Sequence, residues 1–339
     1  MRFRRALALA LVAAGLTQAS ATAQNAQPIT APERPAGVAA TVNGQPILEV
    51  AVHRRLRTVP ATEQATARGE IINYLVDLVL IDQYLVGQKL VVDPSEVETH
   101  LGNFQKDLKD AGQDYAKFLA NLLITEAELR QEIAAELRWE KFLAKQVTDE
   151  ALQKMFTTTM EMFDGSKVRA RHILLTPDAK DAAAVQQAQA TLKAIKAQVE
   201  AEAAGVVAKL PETADALQKE QARCKKMDEL FAQAARDKSS CPSKRDGGDL
   251  GKFHRAGSMV EPFAKAAFAL KPFEVSEVVP TQFGYHLIMV TAREPGQPTK
   301  FEEVKEAVKE TYEVRLKDAM SAQLRARSKI EVSPAPVVK

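Results

Sequence analysis

Several things are scarce in this chain of 339 residues. It has two cysteines, one tryptophan and an aromatic content of 6%. Two cysteines cannot supply a dense disulfide framework, so the chain must fold around an ordinary core, which its 46% of hydrophobic residues can build. No stretch beyond the N-terminal region offers the ~20 apolar residues of a membrane span. The length predicts two or three domains and is sufficient for a large buried core.

An excess of one charge is also missing. The chain has 46 lysines and arginines against 44 aspartates and glutamates. Removal of residues 1–23 takes away three arginines and no acids, which leaves 43 basic and 44 acidic residues and a net charge of −1. A chain balanced in this way lacks the basic footprint of a nucleic-acid-binding protein, so no nucleic-acid partner is expected.

Residues 1–23 have the pattern of a secretory signal peptide. Arginines near the N-terminus precede an apolar run up to Leu16, and two cleavage patterns follow it, Ala19-Ser-Ala21 and Ala21-Thr-Ala23. The run is too short to span a bilayer, so we expect a periplasmic or secreted protein without a stable membrane anchor. Residues 24–36, which contain three prolines among small residues, are typical of a disordered leader.

The pattern from residue 37 to 164 predicts a helical domain. It begins with a short hairpin whose turn is Asn43-Gly44. A helix over 62–90 is apolar on nearly every side, as the central helix of a bundle must be. Asp93 and Thr125 each start a further helix, because their side chains can cap its first turn.

From residue 165 to 295 strands alternate with helices, and two strands carry a histidine. His172 lies in Val168-Arg-Ala-Arg-His-Ile-Leu-Leu175 and His286 in Gly284-Tyr-His-Leu-Ile-Met-Val290. Each histidine alternates with apolar residues, so both rings point toward a core. One such histidine alone is more often a satisfied core residue than a catalytic one. Between the two strands lie a glycine-rich turn, Gly247-Gly-Asp-Leu-Gly-Lys-Phe253, and the pair Met259 and Phe263.

In their order and approximate spacing, these segments resemble the parvulin family of peptidyl-prolyl cis-trans isomerases. The resemblance implies a small mixed β-sheet surrounded by helices, with no cofactor and no metal. It also implies a catalytic network in which His172 and His286 lie on adjacent strands and hydrogen bond to each other, with Thr281 orienting the pair. Asp249 would fix the turn. The substrate would be held by four apolar side chains, Leu250, Met259, Phe263 and Phe283.

Cys241 has two competing interpretations. It lies eight positions before Asp249, where many parvulins place a cysteine or an aspartate close to the substrate carbonyl, so it is a catalytic candidate. An even cysteine count in an exported protein equally favours a disulfide with Cys224. Metal binding by Cys241 and the histidines is a weaker third option, because no ligand-spacing motif is present.

The order of the domains resembles that of the SurA and PrsA families of secreted foldases and chaperones, as does the start Val42-Asn-Gly-Gln-Pro-Ile47. This resemblance implies an α+β fold with a mainly helical core built from both chain ends. One parvulin domain, residues 165–295, would be inserted in that core. Residues 296–332 would form a C-terminal helix that packs back on the N-terminal domain, followed by a tail over 333–339.

Two departures from the parvulin pattern are visible. Residues 200–226 form an alanine-rich, charged insertion that suggests an extra helical hairpin. Phe273 occupies a helix-to-strand turn where the family prefers glycine, so we expect a strained or altered turn there.

The predicted function is that of an exported prolyl isomerase and chaperone. Its partners would be unfolded or nascent exported polypeptides, outer-membrane proteins among them, and it would be a monomer or a dimer. The alternative is a holdase chaperone whose parvulin domain is inactive or only binds peptide.

Overall fold

The computed structural model describes residues 34–335 and divides the chain into two compact units. Of the described residues, the helical unit contains 34–149 and 310–335, and the sheet unit contains Glu150–Lys309. The predicted α+β class, with a mainly helical part built from both chain ends, is confirmed. The predicted signal peptide lies outside the described residues, as do most of the leader and of the C-terminal tail.

A small sheet in the helical unit joins the two ends of the chain. β1 (Val38–Val42) pairs antiparallel with β2 (Gln45–Leu48) on one side and with β7 (Ile330–Val332) on the other. The predicted Asn43-Gly44 turn is confirmed: both residues have positive φ, 51° and 85°, as a two-residue hairpin turn requires. The pairing with β7 was not predicted, because three residues carry too little pattern to reveal a partner strand.

Between residues 34 and 148, five helices complete the helical unit. Residues 62–90 were predicted to form one helix, and α2 confirms this prediction. Six apolar residues are buried along its length. The predicted caps are also confirmed, because Asp93 accepts from Ser95 N and Thr125 forms a capping box with Glu128. The helices are α1 (Glu49–Leu56), α2 (Gln64–Gly87), α3 (Pro94–Asp110), α4 (Tyr115–Leu122) and α5 (Glu126–Gln146).

The sheet unit opens with α6 (Asp149–Thr158) and is built on a four-stranded sheet in the order β4-β3-β6-β5. Its pairings are all antiparallel, so the prediction of a mixed sheet was wrong. The reason is the connection from β3 to β4: two helices carry the chain out and back, and it re-enters at the end of β3 that it left. The strands are β3 (Lys167–Leu175), β4 (Asp249–His254), β5 (Val279–Thr281) and β6 (Gly284–Glu294).

The two connecting helices are long and continuous. α7 (Ala182–Ala208) and α8 (Ala216–Lys238) pack against each other, and the predicted insertion at 200–226 forms their adjoining ends and the loop between them. An additional hairpin was therefore the wrong expectation. The extra residues lengthen two helices, since each end continues the buried stripe that includes Ala203 and Met227.

The sheet has two apolar faces. One face, with Ile173, Leu287 and Met289, packs with buried residues of α7 and α8. The opposite face, with Val168, Ala170, Ile288 and Val290, packs with α9 (Glu261–Ala269). The histidines belong to this second face, as the alternation in their strands predicted.

Phe273, after α9, has a φ of 58°, a left-handed conformation that a bulky residue rarely adopts. The expected altered turn is thus present. Its backbone N donates to Val290 O at 2.6 Å, and its side chain packs with the cluster on the α7–α8 face, which hold the turn in place.

α10 (Phe301–Arg325) begins in the sheet unit and ends in the helical unit. Within the helical unit, Leu324 is buried in the core around α2, and Arg325 Nε donates to Asp77 Oδ1 at 2.6 Å. No helix among residues 34–335 is long and apolar enough to cross a membrane.

Candidate functional site

The two histidines meet on the inner face of the sheet. β3 and β6 pair so that His172 lies opposite Ile288 and His286 lies opposite Leu174, which makes the histidines diagonal neighbours. The side chains are 5% and 4% exposed. Their Nδ1 atoms are 3.2 Å apart, and the rings are nearly parallel, 21° between planes. The predicted contact between the histidines is present.

A hydroxyl group lies at each end of the histidine pair. His172 Nε2 is 3.1 Å from Ser243 Oγ, and His286 Nε2 is 2.8 Å from Thr281 Oγ1. We call these four side chains the histidine network. All four ring nitrogens have a partner, and the protons can be ordered in either direction along the network, because each hydroxyl can both donate and accept.

Both imidazoles are neutral at physiological pH. Burial, with the neighbouring His286 as the second cause, lowers the pKa of His172 to about 4. Burial also lowers the pKa of His286 to about 4. The Nδ1–Nδ1 contact is therefore a hydrogen bond from a protonated nitrogen of one ring to the free nitrogen of the other.

Ser243 is the residue that the sequence reasoning missed. It lies in a short 3₁₀ helix, Pro242–Asp246, which leads into Gly247 and Gly248. Both glycines have positive φ, and a Cβ on Gly248 would collide with His172 O. That close approach lets His172 N donate to Gly248 O at 2.9 Å, so the turn is fixed against the strand that carries His172. A hydroxyl two residues after Cys241 was the available signal.

Two charged side chains of β3 hold the same turn. Arg171 donates to Asp246 O at 2.8 Å and to the carboxylate of Asp228 on α8 at 2.7 Å. Arg169 pairs with Asp249, which also accepts from Gly251 N at 2.9 Å. Asp249 thus lies where the resemblance placed it, as a residue that shapes the turn, whereas Arg171 was not predicted.

Cys241 precedes the 3₁₀ helix and is partly exposed. Its backbone N donates to Ser239 Oγ, but the hydrogen-bond partner of His172 Nε2 is Ser243. Cys241 and Cys224 are both free thiols, and the Cys224 thiol donates to Glu220 at 3.3 Å. The disulfide alternative is not formed, and the catalytic role of Cys241 stays a prediction.

Phe263 forms the apolar wall beside the histidines. Its ring, projecting from α9, meets His172 and His286 edge to face, with centroid distances of 5.6 Å and 5.3 Å. Leu250 and Met259 are partly buried in the same cluster. Met259 lies before α9 begins, so it does not share a helical turn with Phe263 although the two are four positions apart, yet packing brings both to one cluster.

Phe283 is the outermost of the predicted substrate-binding residues. It lies in the turn between β5 and β6, and its side chain is 56% exposed. Its backbone N donates to Thr281 Oγ1 at 3.1 Å, which connects the turn to the histidine network. Over residues 34–335 no group of three or more histidine, cysteine or acidic side chains is placed to hold a metal ion.

Residues 147–306 match the family model described as the PPIC-type PPIASE domain. The chain carries a parvulin domain. This match covers the sheet, α7 to α9 and the histidine network, so the parvulin domain corresponds closely to the sheet unit.

Curated relatives carry foldase names. The chain is 33% identical over 186 residues to foldase protein PrsA 1 of Bacillus cereus, an alignment that covers 55% of this chain and 49% of that protein. It is 43% identical over 99 residues to foldase protein PrsA of Bacillus subtilis, covering 29% and 32%. The chain thus spans half or less of the length of these relatives. With foldase protein PrsA of Caldanaerobacter subterraneus it shares 28% identity over 332 residues, covering 92% and 89%.

Solved structures with some likeness include PrsA from Bacillus anthracis, at 22% identity and a TM-score of 0.41, covering 74% of this chain and 93% of that one. The SurA-like chaperone structure from Campylobacter jejuni has 23% identity and a TM-score of 0.28, covering 88% and 100%.

Proposed function

We propose that this chain is an exported peptidyl-prolyl cis-trans isomerase and foldase that acts on unfolded or newly translocated polypeptides. The observation that carries the proposal is the histidine network lying directly against the apolar wall of Phe263, Met259 and Leu250. The foldase names of the relatives and the signal-peptide pattern support the same conclusion.

The chemistry demanded of such a site is modest. Rotation about a prolyl peptide bond has a barrier of ~18–20 kcal/mol, because resonance keeps the amide planar. The cis and trans forms differ by only ~0.5–1 kcal/mol, so the catalyst need not drive an equilibrium. It must bind the twisted amide more tightly than either planar form.

In the proposed mechanism the wall binds the proline ring and excludes water from the imide. Phe263 supplies an aromatic face, and Met259 and Leu250, which are only partly buried, have surface left for a ligand. Because apolar surroundings disfavour the charge separation of a planar amide, they favour the twisted form. No covalent step is required.

The histidine network has a positioning role in this proposal. With a pKa of about 4, neither imidazole is an imidazolium at neutral pH, so neither can act as a general acid there. The pair is instead a neutral, fully hydrogen-bonded support that fixes Ser243 and Thr281 at the edges of the site. We expect Phe283, which is exposed beside Thr281, to contact the residues that flank the proline.

A second function, the holdase of unfolded chains, is favoured by one observation in the helical unit. An open cavity of about 540 Å³ there is lined mainly by apolar side chains of α1, α2 and α5. A cavity of this size and character is typical of ligand sites. One chain can therefore have both activities. A pure holdase would be a chain whose parvulin domain does not catalyse prolyl isomerisation.

The test is the rate of cis–trans exchange on short Xaa-Pro peptides, measured by NMR with the chain lacking residues 1–23, oxidised and reduced. We expect acceleration in both states, because the cysteines are free and Ser243 is the partner of His172. Cys241→Ser should retain most of the rate. No acceleration in either state would overturn the isomerase proposal and leave the holdase.

A further inference from the structure

The α1–α2–α5 cavity of the helical unit has a wall that its own residues leave incomplete. It is about 540 Å³ in volume, and most of its lining is apolar. Leu78, Val79 and Trp139 are only partly buried there, and Tyr74 is 46% exposed. α2 is apolar on nearly every side, so packing within the unit covers some of its faces and leaves this one open.

The acidic side chains of this wall each pair with an arginine, with one exception. Asp82 pairs with Arg138, Glu128 with Arg34, and Glu132 with Arg54. The Arg55 guanidinium and the Lys317 ammonium lie 5.6 Å and 4.8 Å from the centre of the Tyr74 ring.

Glu136 is the exception: among residues 34–335 its carboxylate makes no hydrogen bond and no ion pair. Its ionisable neighbours are Glu140 and Glu132 on its own helix and His100 on α3. Burial, with Glu140 next, raises its pKa to about 7. The charge of His100 favours the ionised carboxylate but does not offset burial, so a further cation would stabilise it.

A second polar group of the wall is also unsatisfied. Arg54 donates through Nη1 to Glu132 at 2.9 Å, but its buried Nε has no hydrogen-bond partner among the described residues. Buried donors without a partner are rare in folded proteins. A carbonyl oxygen of an extended backbone is the kind of acceptor this N–H lacks.

We propose that the α1–α2–α5 cavity binds an extended segment of unfolded polypeptide in which an apolar side chain lies next to a lysine or arginine, whose cation pairs with Glu136. The inference rests on the proposed function, and it names the segments that the helical unit selects. The apolar side chain fills the space between α2 and α5, and the backbone supplies carbonyl groups toward Arg54.

The segment that precedes Arg34 is the competing occupant. Arg34, the first described residue, pairs with Glu128 on the wall. That segment, Gln24-Asn-Ala-Gln-Pro-Ile-Thr-Ala-Pro-Glu33, contains no lysine or arginine. It therefore offers no side-chain cation to Glu136, and a client segment suits the charge of the wall better.

The test uses three proline-free dodecapeptides that differ at one position, lysine, norleucine or glutamate, beside a central Leu-Phe pair. Without proline they do not address the parvulin site. Binding to the chain lacking residues 1–23 is followed at pH 8 by the emission of Trp139, which is the only tryptophan and lines the cavity. We expect the lysine peptide to bind about tenfold more tightly than the norleucine peptide, and the glutamate peptide most weakly.

Two variants assign the preference to its residue. Glu136→Gln should reduce the lysine-to-norleucine ratio to about one while the norleucine peptide binds as before. Glu70→Gln, an exposed glutamate on α2 outside the cavity, should leave the tenfold ratio intact.

Three results would overturn the inference: equal affinities for the lysine and norleucine peptides, binding without a change in Trp139 emission, or binding that needs removal of residues 24–33. The last would make the leader the occupant. If the chain then still prevents aggregation of an unfolded protein, only this inference fails. If it neither binds peptide nor prevents aggregation, the chaperone part of the proposed function fails too.

Discussion

In the parvulin domain, His172 and His286 are almost completely buried, and every ring nitrogen has a hydrogen-bond partner within the chain. In the helical unit, Glu136 and the Nε of Arg54 border an open cavity, and neither has a partner among residues 34–335. A polar network in which every group has a partner is already formed in the free protein. A network with unpaired groups gains its missing partners from the ligand, so it can select ligands that supply those partners.

The same difference gives the two regions opposite responses to pH. The pKa values of His172 and His286 are lowered from 6.5 to about 4, so these groups are neutral in the folded state while the unfolded chain is protonated. The pKa of Glu136 is raised from 4.5 to about 7, so the folded state holds a proton that the unfolded chain releases. A fall in pH from 6.5 to 4 therefore destabilises the parvulin domain, whereas a rise in pH from 4.5 to 7 destabilises the helical unit.

The largest effect should be the loss of stability of the parvulin domain in acid. Because its unfolded state binds more protons than its folded state between pH 6.5 and 4, its unfolding free energy should fall across that range by about 3 kcal/mol for each histidine. Methyl NMR resonances of Ile173 and Ile288, followed through urea titrations of the whole chain, measure it.

The control variants for this prediction are available on the same sheet. Replacement of both His172 and His286 by glutamine should flatten the pH dependence, whereas His254→Gln, at an exposed position of β4, should leave it unchanged. A fall of equal size in the double variant would show that other groups cause the acid sensitivity.

Next in size is the effect of removing the apolar wall. Met259→Ala combined with Phe263→Ala should slow prolyl exchange by about 100-fold, or about 2.7 kcal/mol in the activation free energy. Suppression of aggregation should persist, since the α1–α2–α5 cavity contains neither residue. Exchange NMR and light scattering on the same samples measure the two activities.

Phe263 is 3% exposed, so its truncation also costs folding free energy. Phe263→Leu keeps more of the packing and should still lose rate, because a leucine has no aromatic face for the proline ring. Met160→Ala, at an exposed site of the parvulin domain, serves as the neutral control. Unchanged exchange in the double variant would remove the wall from the proposed mechanism.

A smaller effect is expected when the end of the histidine network is removed. Ser243→Ala leaves His172 Nε2 without its partner at 3.1 Å and should reduce exchange about tenfold. Ser243→Thr keeps the hydroxyl and should restore most of the rate. The ¹⁵N shifts of His172, which report its tautomer, should change in the alanine variant only. A change in rate without a change in tautomer would argue against a positioning role.

The sequence predicted the parts of this site that depend on residues close together along the chain, and it missed the part that depends on residues far apart. Alternation along β3 and β6 sufficed to place both histidines on the core face, because period two is a local property of a strand. Thr281 follows from the family pattern, and it lies five residues from His286. Ser243 is 71 residues from His172 along the chain, and only the turn held by Arg171 and Gly248 brings them together.

The helical unit shows the same limit in its packing. The apolar character of α2 was evident from the sequence, and so were the caps at Asp93 and Thr125. Which face of α2 stays open depends on how α1 and α5 pack, and no local pattern encodes that. The unpaired state of Glu136 is likewise a tertiary property, since Glu132 one turn earlier on α5 has a partner in Arg54.

The smallest effect is the change in unfolding free energy caused by Glu136→Gln. Its sign is the sharpest test of the difference between the two regions. The wild-type carboxylate is protonated in the folded state below its pKa of about 7, so at pH 4 the variant should have the same unfolding free energy as the wild type. At pH 8 the ionised group is disfavoured by burial, and the glutamine should raise the unfolding free energy by about 1 kcal/mol, a value reduced by the partial exposure of the side chain. Urea titrations followed by Trp139 emission give both values, with Glu70→Gln as the control. A destabilised variant at pH 8 would mean that the carboxylate already has a partner in the free protein, and the cavity would then have no vacant place for a cation.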